Sequence, residues 1–178
     1  EQVGPFNEAF IRSQDYEMLL RLVRRFQGKQ IDGLVFSQRQ HAGIRGSSTL
    51  RIKAQDNAAV WHRFNQRIFK SIYSMYALEE FLPGACNLSS ETDRITALLQ
   101  RCVIMGRREL WDLAAQDMRM VELIARRVQI HDLTPEQSTI LHGMFGPPTN
   151  AIWNFANALD FRTAMREISH PVLSKQIH

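Results

Sequence analysis

The sequence predicts a mainly α protein, a multi-helix bundle with a helix-turn-helix-like segment and one small β-hairpin. Over most of the chain, apolar residues recur at steps of three and four, which is the period of an amphipathic helix. Only residues 30–55 differ, because Leu34 and Phe36, and then Leu50, Ile52 and Ala54, alternate with polar neighbours as in strands. Residues 40–48 between these two runs contain two glycines and have no helical period. We therefore expect three parts: an N-terminal arm over residues 1–12, a mixed part over residues 13–88 and a helical domain over residues 89–178.

The first predicted helix follows the arm. Ser13 is a candidate N-cap, and Gly28 is a natural stop for a helix that runs to about Gln27. One face carries apolar side chains at steps of three and four residues: Tyr16, Leu19, Leu20, Val23 and Phe26. Three arginines lie off that face, where they are either solvated or in contact with an acidic partner: Arg21, Arg24 and Arg25.

The predicted β-hairpin lies in a stretch that has no acidic residue between Asp32 and Asp56. The same stretch holds His41 and four cationic residues: Arg39, Arg45, Arg51 and Lys53. A basic two-stranded ribbon can lie along a phosphate backbone or enter a groove of DNA. The same charges would also keep an exposed edge strand from pairing with another chain, and both interpretations stay open.

A long apolar helix is predicted from Asp56, its candidate cap, to about Leu82, where Pro83 and Gly84 end it. Its inner stripe comprises Val60, Phe64, Ile68, Ile72 and Met75. The stripe is widened by Trp61, Phe69, Tyr73, Tyr76 and Phe81. Because a helix this apolar has two buried sides, it forms the hydrophobic core, an oligomer interface, or both.

The helix-turn-helix-like segment follows a helix that opens with a capping box at Ser90 and ends at Gly106. The first helix of the motif is predicted over Arg107–Ala115, the turn at Gln116–Asp117 and the recognition helix over Met118–Val128. Asp117 is the candidate cap of that recognition helix. The turn lacks the glycine often found there, and three successive helices also occur in bundles with no role in DNA binding.

Two further helices are predicted near the C-terminus. The sequence Thr134-Pro135-Glu136-Gln137 combines a threonine cap, a proline at the first helical position and a glutamine that closes the capping box. That helix is expected to end at Gly146. The last helix begins at Thr149 or Asn150 and is stopped by Pro171.

The predicted recognition helix and its neighbours supply the candidate DNA contacts in this half of the chain: Arg107, Arg108, Arg119, Arg126, Arg127 and Gln129. Arginine suits guanine edges and phosphates because its guanidinium donates two parallel hydrogen bonds. Glu122 lies among these residues, where it is unfavourable for phosphate binding. We expect it to pair with Arg126, four residues further along the helix.

Composition and motifs point away from catalysis. The net charge of +4 and the pI of about 9.4 mildly favour an acidic partner. Cys86 and Cys102 form no Cys-x-x-Cys pair, and Cys102 lies on an apolar helical face where we expect it to be buried. The sequence has no P-loop, Gly-x-Gly-x-x-Gly or Gly-x-Ser-x-Gly motif. We expect no enzymatic activity, no cofactor and no metal; His131, Asp132 and His142 are the only residues whose side chains could converge as metal ligands.

No apolar run in the sequence approaches the length that spans a membrane. No secretory signal is visible either, although the chain begins at Glu1. We expect a cytoplasmic protein with no membrane partner.

Residues 93–142 resemble the bacterial flagellar master activator family, the FlhD/FlhC type. The resemblance is carried by Leu98-Leu99-Gln100-Arg101-Cys102-Val103, Met120, Ala125, and Leu133-Thr134 with Gln137. It implies a transcriptional activator that contacts DNA together with a partner subunit, and related activators are associated with conjugative elements. Residues 1–88 have no counterpart in this family. The chain also lacks the cysteine cluster that binds zinc in the FlhC-type subunit, so the resemblance is to the FlhD-type subunit or a mobile-element regulator.

The sequence therefore predicts a DNA-binding transcriptional regulator, more specifically an activator, that acts as a homo- or hetero-oligomer on double-stranded DNA and performs no chemistry. The alternative is a protein-interaction module, such as a secretion or conjugation accessory protein, that docks through the long apolar helix or the N-terminal arm. Steep salt dependence of binding would separate the first from the second. The sequence also leaves RNA open as the acidic partner.

Overall fold

Helices dominate the computed structural model, which describes residues 3–29, 31–33, 37, 45–46, 51–52, 56–82, 84, 87–144 and 158–177. Within these residues the helices are α1 (Gln14–Arg25), α2 (Asn57–Met75), α3 (Glu91–Gly106), α4 (Trp111–Val128), α5 (Pro135–His142), α6 (Leu159–Glu167) and α7 (Pro171–Ile177). The predicted mainly α class is confirmed. None of the described helices is both long enough and apolar enough to cross a membrane.

The chain divides into an N-terminal unit, Glu1–Ile68, and a C-terminal unit, Phe69–His178, and the division falls inside α2. In the N-terminal unit, the two-residue strands β1 (Arg45–Gly46) and β2 (Arg51–Ile52) pair antiparallel. Arg45 lies opposite Ile52 and Gly46 opposite Arg51. Most of the predicted hairpin, including Arg39 and Lys53, lies outside the described residues.

The arm is held against its own unit by two arginines. Arg21 donates hydrogen bonds from Nη1 to the carbonyl of Val3 and from Nη2 to that of Pro5. Arg67 donates to the carbonyl of Ala9, and its guanidinium lies 5.1 Å from the ring centre of Phe10, which is buried. The arm is therefore fixed through its carbonyl groups and one aromatic side chain.

Ser13 occupies the predicted N-cap position of α1, and its carbonyl accepts from the N–H of Glu17. Its side chain makes no capping hydrogen bond, because its backbone is left-handed (φ 62°) and its hydroxyl lies 3.4 Å from Oδ1 of Asn65. The helix contains no buried residue. Leu19, Val23 and Phe26 are each about half exposed.

The long apolar helix is shorter than predicted. α2 ends at Met75, and a 3₁₀-helix follows over Leu78–Phe81 in place of a continuous helix to Leu82. The break occurs at Ala77, whose backbone is extended and whose N–H donates to the side chain of Glu80. The buried part of the predicted stripe is Ile68, Phe69 and Ile72, whereas the predicted Met75 is 63% exposed.

An antiparallel pair of helices, α3 and α4, forms the centre of the C-terminal unit. Three contacts fix the pairing: Glu91 with Arg127, Arg101 with Asp117, and the thiol of Cys102 with the carbonyl of Ala114. Each step forward along α3 matches a step back along α4, so the two helices lie side by side over their length. Residues 107–110 form the turn between them, and Glu109 is left-handed there (φ 56°).

The predicted helix-turn-helix segment is therefore wrong in its details. The helix predicted over Arg107–Ala115 and the one predicted over Met118–Val128 belong to a single helix, α4, which begins at Trp111. Gln116 and Asp117 lie within this helix and form no turn. The reason is that Asp117 is fully buried and pairs with α3, which requires a helical position on the inner face.

The remaining helices pack around this pair. The capping boxes predicted at Ser90 and Thr134 are both present, and α5 ends at His142. The side chain of Gln137 also donates to Thr92 and Thr96 of α3, which ties α5 to the central pair. The prediction that this helix reaches Gly146 is wrong, because Gly143 already follows its last turn. The last helix was predicted to run without a break from Thr149 or Asn150; those two residues lie outside the described part, and Ala158 is non-helical directly before α6 begins at Leu159.

α6 runs parallel to α4. The rings of Trp111 and Phe161 lie 5.5 Å apart at one end, and Glu122 contacts Ser169 at the other. Pro171 was predicted to stop the preceding helix, but α6 already ends at Glu167 and Pro171 begins α7 instead. Proline is favourable at a first helical position because the missing N–H has no helical partner there.

Candidate functional site

The candidate DNA contacts on α4 are paired with carboxylates of the same chain. Arg119 lies 3.6 Å from Glu167, and Arg126 lies 2.9 Å from Glu122, as the sequence predicted. Arg127 lies 2.6 Å from Glu91 of α3. All three arginine side chains are more than half exposed, so they remain accessible to solvent. A phosphate that approached them would meet nearly neutral pairs instead of a row of cations.

Glu122 links α4 to the start of α7. Its Oε1 accepts hydrogen bonds from the backbone N–H groups of Ser169 (2.8 Å) and His170 (3.1 Å). Burial by itself would raise the pKa of Glu122, but these N–H groups and the Arg126 guanidinium lower it below the ordinary value. Arg126 also donates to the hydroxyl of Ser169. The pair Glu122–Arg126 therefore stabilises the fold in addition to lying on the predicted DNA-binding surface.

Two of the predicted contacts line an open cleft of about 450 Å³ where the end of α4 meets the start of α7. Arg126 and Gln129 contribute one wall, together with Ile130 and His131. The other wall includes His170, which is buried and whose Nδ1 has no hydrogen-bond partner. The structure thus brings Arg126 and Gln129 together but places Arg119 two turns earlier on α4.

Arg107 and Arg108 lie in the turn between α3 and α4. Arg107 is exposed. The guanidinium of Arg108 lies 4.7 Å from the ring centre of Phe69, a geometry in which a cation is attracted to the face of an aromatic ring. Arg107 is therefore the more accessible of the two cations.

The four hairpin candidates belong to the N-terminal unit. Arg45 and Arg51 lie in the paired strands β1 and β2, where the structure describes the backbone. Arg39 and Lys53 are outside the described residues. The pairing of β1 with β2 brings the chain on either side of residues 47–50 together, so Arg45 and Arg51 are close along the ladder even though five residues separate them in sequence.

Charge is divided unequally between the two units. The N-terminal unit has 11 Lys and Arg against 6 Asp and Glu, a net charge of +5. The C-terminal unit has 11 Lys and Arg against 12 Asp and Glu, a net charge of −1. The excess positive charge of the protein therefore resides wholly in the N-terminal unit, and the predicted recognition helix lies in the other.

A buried polar cluster that the sequence reasoning missed joins α2, α3 and α4. Arg101 donates from Nε (3.0 Å) and Nη2 (2.6 Å) to the carboxylate of Asp117, and the hydroxyl of Tyr73 donates to the same carboxylate at 3.1 Å. The Arg101 guanidinium also lies 4.2 Å from the ring centre of Tyr73. The spacing of Asp117 from Val121 and Ile124 places it on the inner stripe of α4, and this signal could have identified it as buried.

The electrostatics of this cluster follow from its burial. Burial raises the pKa of the Asp117 carboxyl, and the hydrogen bonds and charge of Arg101 oppose that rise only in part. Burial would lower the pKa of Arg101, but the Asp117 carboxylate raises it above its ordinary value. Burial also raises the pKa of the Cys102 thiol well above its usual range, so the thiolate that a nucleophile requires is disfavoured. The cluster is suited to holding helices together and unsuited to covalent chemistry.

Within the described ranges, no three His, Cys, Asp or Glu side chains come together to hold a metal ion. His131 and Asp132 follow α4 and His142 ends α5, and they form no such group. Comparison of the chain with protein-family models, with curated proteins and with solved structures found no match.

Proposed function

We propose that the protein is a DNA-binding transcriptional regulator whose contacts to the phosphate backbone come mainly from its N-terminal unit. The observation that carries this proposal is the division of charge, +5 in the N-terminal unit against −1 in the C-terminal unit. Lys and Arg neutralise phosphates and release condensed counterions, which is the main source of sequence-independent affinity for DNA. A unit with an excess of five cations is therefore the better candidate for this contact.

Within that unit, the acid-free stretch between Asp32 and Asp56 is the strongest candidate. It offers four cations, Arg39, Arg45, Arg51 and Lys53, and no carboxylate that would repel a phosphate. The antiparallel pairing of β1 with β2 supports a two-stranded ribbon there. Ribbons of this kind contact DNA backbones or enter a groove.

The α4 arginines are proposed as secondary contacts. Exposed ion pairs contribute only about 0–1 kcal/mol, so a phosphate can displace Glu167 or Glu91 at little cost. The displaced carboxylate would nevertheless remain near the DNA and repel it. We therefore assign the larger share of phosphate binding to the N-terminal unit and a smaller share to Arg119 and Arg127.

The regulatory role is supported by the resemblance of residues 93–142 to the flagellar master activator family. That stretch corresponds to α3, α4 and α5, with Leu98, Leu99 and Cys102 in the core. In this proposal the C-terminal unit is the structural and partner-binding part, and DNA contact is shared between copies or with a partner subunit. The protein itself performs no chemistry.

The proposal is tested by binding of the full chain to a labelled random duplex over a series of salt concentrations. Four phosphate contacts predict a log–log slope of about −3.6, at roughly 0.9 per contact. Arg45→Gln/Arg51→Gln should flatten the slope by about 1.8. Arg166→Gln/Lys175→Gln, which removes the same charge from exposed positions of the C-terminal unit, should leave it unchanged. A wild-type slope shallower than about −1 would overturn the proposal, because it corresponds to a single phosphate contact.

A second candidate function is a protein-interaction module without nucleic-acid binding. The exposed apolar side chains in and directly after α1 favour it, because Leu19, Val23 and Phe26 are each about half exposed. Burial of such a surface changes little with salt. Binding of a protein partner that persists at high salt, together with no duplex binding at low salt, would support this function over DNA binding.

A further inference from the structure

Helix α1 exposes a set of apolar side chains at the spacing that helices use to bind another helix. Leu19, Leu22 and Val23 are 51%, 38% and 53% exposed, and their positions i, i+3 and i+4 place them on one face of the helix. Phe26, the extended residue that follows the last turn of α1, is 50% exposed and continues this apolar set at the C-terminal end of the helix. We call these four side chains the α1 face.

Nothing within the described part of the chain buries any residue of α1. An isolated helix of 12 residues is marginal in water, because most helical stability comes from packing of an apolar face. The arm stabilises α1 from its polar side, where Arg21 binds the carbonyls of Val3 and Pro5 and the carboxylate of Glu17. The α1 face lies away from Arg21 on the helical wheel, so these hydrogen bonds to the arm leave it exposed.

We propose that the α1 face binds the α1 face of a second copy of this chain, with the two helices antiparallel. Charge selects this occupant. Asp15 lies in the first turn of α1 on the same side as the α1 face, and Arg25 lies in the last turn on its flank. Consider an antiparallel pair of α1 helices whose centre lies between Leu19 and Leu22. Measured along the helix axis, Asp15 of one copy lies about 8 Å from this centre, and Arg25 of the second copy lies about 7 Å from the centre in the same direction. Each end of the pair thus combines a carboxylate with a guanidinium, whereas a parallel pair would place like charges together.

The contact is small. Four half-exposed side chains fall short of the roughly 800 Å² per partner that a stable interface buries, so we expect association in the micromolar range. The inference rests on the proposed function in one respect, namely that the regulator acts as an oligomer. Its consequence for that function is that two N-terminal units, each with a net charge of +5, are held together on one duplex. Linked binding of this kind raises apparent affinity without new contacts.

The test is the mass of the full chain, measured by sedimentation equilibrium over a range of concentrations without DNA. Wild type should show a concentration-dependent monomer–dimer equilibrium. Leu19→Glu/Val23→Glu should raise the dimer Kd by about tenfold or more, since burying a charge in an apolar contact is unfavourable. Met120→Glu/Leu123→Glu is the matched control, because these apolar side chains on α4 are comparably exposed (46% and 60%). The control should dimerise as wild type does.

Charge variants test the antiparallel arrangement and do not depend on any single variant's folding. Asp15→Arg alone and Arg25→Asp alone each juxtapose like charges and should be monomeric. A one-to-one mixture of the two restores both pairs and should form the heterodimer, a specificity that comes from repulsion in the wrong pairs. A wild type that stays monomeric at all concentrations would overturn the inference, and so would a mixture that stays monomeric while both variants retain wild-type helicity.

Duplex binding, measured on the same proteins, separates this inference from the proposed function. If wild type is monomeric and still binds the duplex with a steep salt dependence, DNA binding survives and the α1 face is not a self-association surface. If wild type dimerises through the α1 face but does not bind the duplex, self-association survives and the proposed function fails.

Discussion

The buried ion pair between Arg101 and Asp117 makes the strongest prediction about stability. The side chain of Asp117 is 1% exposed and that of Arg101 is 14% exposed, so neither charge is well hydrated. Asp117→Ala would leave the guanidinium in the core without a counter-ion. Removal of one member of a buried pair costs about 3–5 kcal/mol. In a chain of this size, each kcal/mol lowers Tm by roughly 2–4 °C, so we expect a decrease of about 6–20 °C.

Removal of both charges should destabilise the fold far less than removal of one. The pKa of Asp117 is raised by burial, so this carboxylate is stabilised less in the folded chain than in water. Because the folded pKa of Asp117 lies above its unfolded pKa of about 3.9, protonation of this carboxyl favours folding. This favourable contribution to the free energy of unfolding is complete below the unfolded pKa and is lost as pH rises through the folded pKa. The free energy of unfolding of the paired variant Arg101→Met/Asp117→Leu should therefore lie within about 1 kcal/mol of the wild-type value or above it.

Urea unfolding followed by far-UV circular dichroism measures these free energies. Arg119→Ala is the control, because its pair with Glu167 is exposed and should contribute less than about 1 kcal/mol. The reasoning would be refuted if Asp117→Ala cost no more than Arg119→Ala. It would also be refuted if the paired variant were as unstable as Asp117→Ala, since shape and not unpaired charge would then be the cause.

Three further predictions concern the C-terminal unit. Burial and the nearby Asp117 carboxylate raise the pKa of Tyr73 to about 12, above the unfolded value of about 10. The contribution of the neutral Tyr73 side chain to the free energy of unfolding is therefore complete below pH about 10 and is lost as pH rises to about 12. In Tyr73→Phe, the free energy of unfolding should depend less on pH in that range. Glu122→Ala removes an acceptor of two backbone N–H groups at the start of α7 and should cost about 1.5–3 kcal/mol in urea unfolding; an unchanged midpoint would contradict this. A Cβ on Gly106 would lie 2.8 Å from the sulfur of Met144 and 3.0 Å from the ring of Trp111, so Gly106→Ala should lower the free energy of unfolding by about 1–3 kcal/mol. Gly28→Ala is the control and should leave it unchanged, because a Cβ there would meet no atom within 4 Å.

Local sequence signals predicted the ends of elements where the signal is a short-range hydrogen bond. The capping boxes at Ser90 and Thr134 are present because each depends on residues only three apart. The same kind of signal failed at Asp117, whose position is decided by an ion pair with a residue on another helix. Aspartate suits both an N-cap and a buried ion pair, and the local sequence does not separate the two.

The contacts made by helical faces were harder to predict than the helices themselves. Leu19 and Val23, four residues apart, share one face of α1, whereas Phe26 follows the end of the helix. Helical periodicity does not indicate what covers that face. The arginines of α4 were correctly predicted to lie on an outer face, and Arg126 pairs with Glu122 as its spacing indicates. The partner of Arg127 lies 36 residues away, on α3, so that pairing depends on tertiary structure.

The central claim is that the N-terminal unit, and not α4, supplies most of the phosphate contacts. The most direct measurement compares two variants that each remove three positive charges, Arg45→Gln/Arg51→Gln/Lys53→Gln and Arg119→Gln/Arg126→Gln/Arg127→Gln, by the salt dependence of their binding to a random duplex. We predict that the first variant flattens the log–log slope by about 2.7 and that the second changes it by less than about 1. The opposite order, with the larger change in the α4 variant, would contradict the account and assign the DNA contact to the C-terminal unit.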